Sequence, residues 1–390
     1  MRRVNIPKVG SRLLAGVILA SFFMASPAGA APTRQLVRAS IIATTSQLTP
    51  LDLSCPTRKF CMALVRQGTD TGASVYSVTW NGSKVSAPRR ISGASYLAVD
   101  DIGGISQLSC TSSKFCMAIG QGEMSKTSFR WSRKDWKSVP IPSPSAIVPA
   151  PAPASIQAER VGWTSISCVT PKFCMAVGSS VNEITTGTTT AERVATTFMR
   201  WNGTAWIHQS TLQGVDLTAV SCSSTTSCAA IGASSAVWNG TIWRQVSVPG
   251  ETSNPVSSAY YSGISCVAHL TCVAVGSSPV STTILAQADI EWTKGAWHTI
   301  APPAPPSSSG PFLNQIDCQS ATLCVASGHT VFGRSEPTLL SAWNGRFWTS
   351  ATVSGQFVVV GGGAVDFTSG SSDIAIVPSS NGSSTLWLKG

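Results

Sequence analysis

TSISCVTPKFCMAVG, residues 164–178, decides the fold, and ATTFMRWNGTAWIHQ at 195–209 completes the unit it begins. In the first stretch two short apolar runs flank a polar turn. Cys168 and Cys174 stand where those runs separate, spaced C-x5-C. Such a stretch reads as a β-hairpin whose register a cross-strand disulfide would pin. In the second stretch Asn202-Gly203 is a strong hairpin turn signal, because both residues tolerate positive φ. As a two-residue loop it would set Trp201 opposite Thr204 and Trp206 opposite Met199, leaving the tryptophans as a diagonal pair on one face.

The same parts recur along the chain. The cysteine hairpin returns as ISQLSCTSSKFCMAIG at 105, LTAVSCSSTTSCAAIG at 217, YSGISCVAHLTCVAVG at 261 and LNQIDCQSATLCVASG at 313. The tryptophan hairpin returns as WSRKDW at 131, WNGTIW at 238, WTKGAW at 292 and WNGRFW at 343. A first copy reads WNGSKV at 80, with Val85 in the second tryptophan place. The six pairs Cys55/Cys61, Cys110/Cys116, Cys168/Cys174, Cys222/Cys228, Cys266/Cys272 and Cys318/Cys324 use all 12 cysteines. A seventh, degenerate copy, AVDFTSGSSDIAIV at 364, keeps the spacing with Phe367 and Asp373. It is followed by STLWLKG, where Trp387 takes the first tryptophan place.

Two hairpins make four antiparallel strands, and a four-stranded unit recurring roughly every 50 residues points to a propeller. The expected architecture is therefore all-β: a seven-bladed β-propeller of four-stranded blades in one domain, residues 31–390. The last copy lacks a fourth strand, and the strand-like LVRASIIAT at 36–44 precedes the first hairpin. Residues 36–44 are expected to close the ring as the outer strand of the last blade. The Pro/Ala-rich run 139–159 and the Pro/Ser run 301–311 read as interblade loops, and the Thr-rich stretch 181–195 as an insertion.

Residues 1–30 read as a signal peptide. Arg2, Arg3, Lys8 and Arg12 precede an apolar core from Leu13 to Met24, and Ala28-Gly29-Ala30 offers a cleavage site before Ala31. The core is too short for a comfortable membrane span. Evenly paired cysteines suit an oxidising compartment, and C-x5-C is the wrong spacing for common zinc knuckles. Six local disulfides are the expected result. Secretion or attachment to a bacterial envelope follows, with no membrane span in the mature chain.

These residues resemble a group of secreted β-propeller-like proteins common in high-GC Gram-positive bacteria. Its signature is L-x-x-[VI]-S-C-x-S-x-x-x-C-x-A-V-G followed by W-[ND]-G-x-x-W. The resemblance covers nearly all of the mature chain and implies the fold. It implies little about activity, because the group is mostly uncharacterised. The S-x-D-x-G-x-x-W box of sialidase-type propellers is absent in clear form, so sialidase activity is not carried over.

Only 11% of residues are charged, against a formal net charge of +10. The cations do not cluster, which excludes a phosphate-binding stripe and nucleic acid as a partner. Among the candidates for chemistry, His208, His269, His298 and His329 form no ligand-spaced pair. Asp100, Asp101, Asp216, Asp289, Glu291, Asp317 and Asp366 are dispersed, although Asp317 and Asp366 share the place before the first cysteine or its substitute. G-x-S-x-G, H-E-x-x-H and P-loop motifs are missing. No cofactor, metal or catalytic residue is assigned. The regular tryptophans read as interblade packing. Trp163 falls outside their pattern and is the candidate for ligand contact. N-G-[ST] at Asn81, Asn202, Asn239 and Asn381 reads as a turn rather than a glycosylation site, and Gly361–Gly363 as a close approach between blades.

The leading expectation is an exported, noncatalytic, monomeric binding scaffold for an envelope polysaccharide or an extracellular protein. A secreted glycoside hydrolase with a site in the central pocket is the first alternative, and a structural cell-surface protein the second.

Overall fold

The computed structural model describes residues 48–389 except 58, 70–71, 82–83, 98–102, 145–154, 187–188, 252–258, 280–284, 301–311, 330–337, 353–363, 368–372 and 379–383. From residue 349 onward the strands are described by their backbone. The leader 1–30, the strand expected at 36–44, the run 301–311, Asp100, Asp101, Gly361–Gly363 and Asn381 lie outside the described residues.

The described chain is almost entirely strand, and each strand follows from one half of a hairpin motif. The first unit is β1 (Leu48–Thr57), β2 (Phe60–Thr69), β3 (Gly72–Trp80) and β4 (Arg89–Leu97). The second is β5 (Gly103–Ser112), β6 (Phe115–Gly120), β7 (Thr127–Ser132) and β8 (Asp135–Pro140). The third is β9 (Ser155–Thr170), β10 (Phe173–Thr186), β11 (Thr189–Trp201) and β12 (Trp206–Gln213). The fourth is β13 (Leu217–Ser224), β14 (Ser227–Gly232), β15 (Ser235–Trp238) and β16 (Trp243–Val246). The fifth is β17 (Tyr260–Val267), β18 (Thr271–Pro279), β19 (Leu285–Thr293) and β20 (Ala296–Ile300). The sixth is β21 (Phe312–Ser320), β22 (Leu323–His329), β23 (Thr338–Trp343) and β24 (Trp348–Thr352). The seventh contributes β25 (Ala364–Phe367), β26 (Asp373–Pro378) and β27 (Ser384–Lys389). Within every unit the strands pair antiparallel in chain order. The first two units also join into one eight-stranded sheet, through Tyr96↔Gly104 and Leu97↔Gly103.

One row of side chains crosses each sheet. In the second unit Cys110 lies opposite Cys116, Cys116 opposite Trp131, and Trp131 opposite Trp136. The same row is Cys168–Cys174–Trp201–Trp206 in the third unit and Cys222–Cys228–Trp238–Trp243 in the fourth. It is Cys266–Cys272–Trp292–Trp297 in the fifth and Cys318–Cys324–Trp343–Trp348 in the sixth. In the first unit Cys61 lies opposite Trp80, and Trp80 bridges to Val85. Because facing residues in antiparallel strands project to the same side, disulfide and tryptophans share one face.

All six expected disulfides are present: Cys55–Cys61, Cys110–Cys116, Cys168–Cys174, Cys222–Cys228, Cys266–Cys272 and Cys318–Cys324. They belong to the core and not to an exposed site. The second cysteine of every pair is buried, namely Cys61, Cys116, Cys174, Cys228, Cys272 and Cys324. Cys61 packs with Leu53, Ala63 and Val78. Cys272 packs with Trp292, Trp297 and Ile231 of the preceding unit, and Cys324 with Trp343, Trp348 and Val275. The cause is position: each second cysteine sits on the second strand of its unit, which pairs with a strand on either side.

The tryptophans are direct partners, not the diagonal pair expected from a two-residue loop. Asn202 starts a four-residue loop instead. Its Oδ1 accepts the N–H groups of Thr204 and Ala205, and Gly203 takes φ +103°. Asn239 and Asn344 do the same in their units. An Asx side chain that mimics a backbone turn outweighs the tight Asn-Gly geometry here. Lys294-Gly295 alone, among the described residues, has both central residues at positive φ between paired Thr293 and Ala296, as a tight hairpin requires.

From the second unit to the sixth, the cysteine–tryptophan face packs on the opposite face of the unit before it. Cys174, Trp201 and Trp206 bury against Phe115, Met117 and Ile119 of the second unit. Met175, Val177 and Phe198 in turn bury against Cys228, Trp238 and Trp243. Burial of a large apolar side chain is worth about 1.5–3 kcal/mol, so these seams hold the core. Within a unit, the first tryptophan also ties down the cysteine loop. The indole N–H groups of Trp131, Trp201, Trp238 and Trp343 donate to the carbonyls of Ser113, Pro171, Thr225 and Ala321.

Two stretches expected as loops are strand. The Thr-rich insertion 181–195 continues β10 and β11 as a paired arm out to Thr186↔Thr189, and β9 follows it to Ser155↔Thr185. Threonine suits a pleated strand. The run 139–159 is likewise shortened, with Val139 and Pro140 ending β8 and β9 starting at Ser155. The last proline of that run is Pro153, so backbone donors are continuous from there.

Candidate functional site

The first strands of the units pack against one another in chain order. β1 packs against β5, β5 against β9, β9 against β13, β13 against β17, β17 against β21, and β21 against β25. β25 also packs against β1. Between the first strands lies a polar, solvent-open cavity of about 280 Å³.

Its lining is set by a bulge that recurs four residues before the first cysteine. Register shifts fall at Thr164 in β9, Thr218 in β13, Ser262 in β17 and Asn314 in β21. A bulge leaves one residue unpaired and re-aims its neighbours. Accordingly Thr164 and Ser165, Thr218 and Ala219, Ser262 and Gly263, and Asn314 and Gln315 line the cavity as consecutive pairs. β1 and β5 supply Asp52, Ser54 and Gln107.

A ladder of side-chain acceptors runs from sheet to sheet around this wall. Ser54 Oγ accepts the Cys110 N–H at 2.9 Å, and Ser109 the Cys168 N–H at 2.9 Å. Ser167 serves Cys222 at 3.0 Å, Ser221 serves Cys266 at 2.9 Å and Ser265 serves Cys318 at 2.9 Å. The serine of the S-C motif therefore couples each unit to the next, which no reading of one unit alone reveals. Two residues earlier, Asp52 Oδ2 accepts the Leu108 N–H at 2.7 Å and Ser165 Oγ the Val220 N–H at 3.1 Å.

Electrostatically the wall is acidic and neutral. Asp52 and Asp317 are its ionisable side chains, and no Lys, Arg or His lines it among the described residues. Burial pushes the Asp52 carboxyl up to about 7, against the opposing pull of the Leu108 and Leu53 N–H groups. Asp317 Oδ1 accepts the Ser265 hydroxyl at 3.3 Å.

The other candidates do not converge here. Trp163 is fully buried and donates its indole N–H to the Ser125 carbonyl at 2.8 Å. It is a packing residue in the seam with the second unit, which corrects its assignment as a ligand contact. His208 and His298 are exposed on β12 and β20. Asp289 is buried between the fifth and sixth units, where Gln287 Nε2 donates to its Oδ1. Among the described residues no three His, Cys, Asp or Glu side chains gather as a metal site. None of their helices is long and apolar enough to cross a membrane.

No family model matches this chain, and no curated protein does. Solved structures do. YCF48 bound to a D1 peptide aligns with a TM-score of 0.51 at 12% identity, over 94% of this chain and 100% of that one. A protein of unknown function from Dyadobacter fermentans gives 0.47 at 9% identity, over 91% and 99%. The β-propeller domain of the Trilobed protease from Pyrococcus furiosus gives 0.35 at 10% identity, over 81% and 97%. The YCF48 likeness is one of fold alone.

Proposed function

We propose that this chain is an exported, noncatalytic binding scaffold, built as a seven-bladed β-propeller, whose partner is an envelope polysaccharide or an extracellular protein. Support for the ring comes from the serial packing of first strands, with β25 against both β21 and β1. β27 has no outer neighbour among the described strands, and 36–44 is the segment proposed to fill that place. Six local disulfides suit an oxidising compartment, in line with export after cleavage at Ala30.

One observation carries the noncatalytic reading: both oxygens of Asp52 are held by backbone N–H groups, Oδ1 by Leu53 and Oδ2 by Leu108. The carboxyl is built into the wall between the first two units, with both oxygens engaged by the backbone. The fold likeness to YCF48, solved with a peptide bound, adds that such a fold serves recognition elsewhere.

The test is cosedimentation of oxidised residues 31–390 with envelope polysaccharide and intact peptidoglycan across a salt series. Saturable binding that persists at high salt is expected; binding lost with modest salt, or none, contradicts a dedicated glycan face and leaves the protein partner to be sought. A glycoside hydrolase remains the second reading, because Asp52 and Asp317 share one cavity and such enzymes use paired carboxyls. Turnover of chromogenic glycosides that disappears in Asp52→Asn would establish it.

A further inference from the structure

The cavity wall carries hydrogen-bonding capacity that the protein leaves unspent. Ser54, Ser167 and Ser221 line it, and each Oγ already accepts an N–H from the next sheet. A hydroxyl that accepts one bond still holds its own hydrogen and a second lone pair. Among the described residues no protein acceptor takes those hydrogens, whereas the equivalent Ser265 gives its own to Asp317. Opposite in kind, Asn314 Oδ1 is shielded from water at its bulge and has no hydrogen-bond partner among the described residues. Asn314, Gln315 and Asp317 line the same cavity and carry amide or carboxylate acceptor oxygens, so donors and acceptors share one wall, and a buried polar atom left unmet is costly.

The geometry points to a binding site for one neutral pyranose, the end residue of a glycan chain. This rests on the binding-scaffold reading and names its ligand. Sugar hydroxyls donate and accept at once, which matches a wall that offers both. The volume of about 280 Å³ lies just under the roughly 300 Å³ at which pockets for drug-sized ligands begin, so one ring enters and an oligosaccharide does not. No cation stands in the described lining and Asp317 adds an acidic side chain to it, so uronates and other anionic sugars find no counter-charge there. Aromatic stacking plays no part, since no aromatic side chain lines the cavity among the described residues.

Titration calorimetry and ligand-observed NMR of residues 31–390 with glucose, mannose and N-acetylglucosamine test this, with glucuronate as the anionic control and sorbitol as the open-chain one. At least one neutral pyranose is expected to bind saturably, and glucuronate and sorbitol at least about tenfold more weakly, the equivalent of one hydrogen bond. Asn314→Leu and the isosteric Gln315→Met are expected to weaken it by a similar factor while the melting midpoint is kept. Gln315→Met carries the test if Asn314→Leu does not fold. Binding of no neutral pyranose, glucuronate or sorbitol as tight as glucose, or variants that bind unchanged, overturns the assignment. Envelope cosedimentation that survives without free-sugar binding overturns this site alone; loss of both overturns this site and the glycan partner of the scaffold reading, leaving a protein partner.

Discussion

Trp206 donates its indole N–H to Ser128 Oγ at 2.9 Å, joining the third sheet to the second. Trp136 makes the same bond to Ser77 at 2.9 Å, and Trp297 to Ser235 at 2.8 Å. In each case the serine stands three residues before the first tryptophan of the preceding unit. The fourth unit departs from this pattern. Phe198 holds the serine's place, and Trp243 stacks on it with ring centroids 3.9 Å apart. Its indole nitrogen then has no partner among the described residues.

That contrast isolates one hydrogen bond. Trp206→Phe and Trp243→Phe remove similar aromatic volume from equivalent seams, but only the first loses a bond. Trp206→Phe is expected to cost about 1 kcal/mol more in urea unfolding. Equal losses would mean that stacking alone holds the seams.

The disulfides act on the same row. Replacing Cys222 and Cys228 by alanine opens a short loop whose closure entropy is worth about 2 kcal/mol. A fall of that order in unfolding free energy is expected, with the Trp238 and Trp243 fluorescence retained in the folded state. An unchanged midpoint would show that the Trp238–Thr225 carbonyl bond already closes the loop.

The glycine that ends each C-x-A-[VI]-G run has a steric cause. A Cβ on Gly276 would stand 2.2 Å from the Tyr260 carbonyl oxygen, and one on Gly232 2.2 Å from that of Asp216. The bulge draws the first strand close at this level. Gly276→Ala is expected to destabilise by about 1–3 kcal/mol; tolerance of alanine in a melting experiment would contradict so close an approach.

Two carboxyls give the fold a pH dependence. Burial pushes Asp289 up to about 8, opposed by the Gln287 amide, and Asp52 up to about 7. An acid whose folded pKa is raised binds its proton more tightly when native. That stabilisation is complete below the unfolded value near 3.8 and fades as pH rises through the folded one. The melting midpoint should therefore fall from about pH 4 to pH 8. Asp289→Ser restores the residue of three other units and should flatten the decline, most visibly from about pH 7 to 8, leaving the share due to Asp52. The same slope in the variant would assign the dependence elsewhere.

The repeating unit, its strands and its disulfides were legible because cysteine and tryptophan recur at the same spacings. The direct Trp201–Trp206 pairing was not, since Asn-Gly serves both two- and four-residue loops. The Thr-rich arm of β10 and β11 reads as a loop because alternation there carries no apolar face. Trp163 was misplaced because a lone aromatic gives no sign of which sheet will cover it. The burial of Cys61, Cys272 and Cys324 was equally silent, since spacing pairs the cysteines without saying how deeply either is covered. The cavity depends on bulges at Thr164, Thr218, Ser262 and Asn314, which change register without changing composition. The coupling role of Ser54, Ser167 and Ser221 was hidden for another reason: each bonds a partner about one whole unit away.

The proposed seven-bladed ring requires the seventh unit to close on the first, where β25 packs against β1. Hydrogen exchange of the β27 amides, Thr385 to Leu388, compared between residues 31–390 and the same chain lacking 36–44, reads that closure directly. Protection in the full chain that is lost on deletion is the expected result. Equal exchange in both would contradict closure by 36–44 and leave β27 as an open edge.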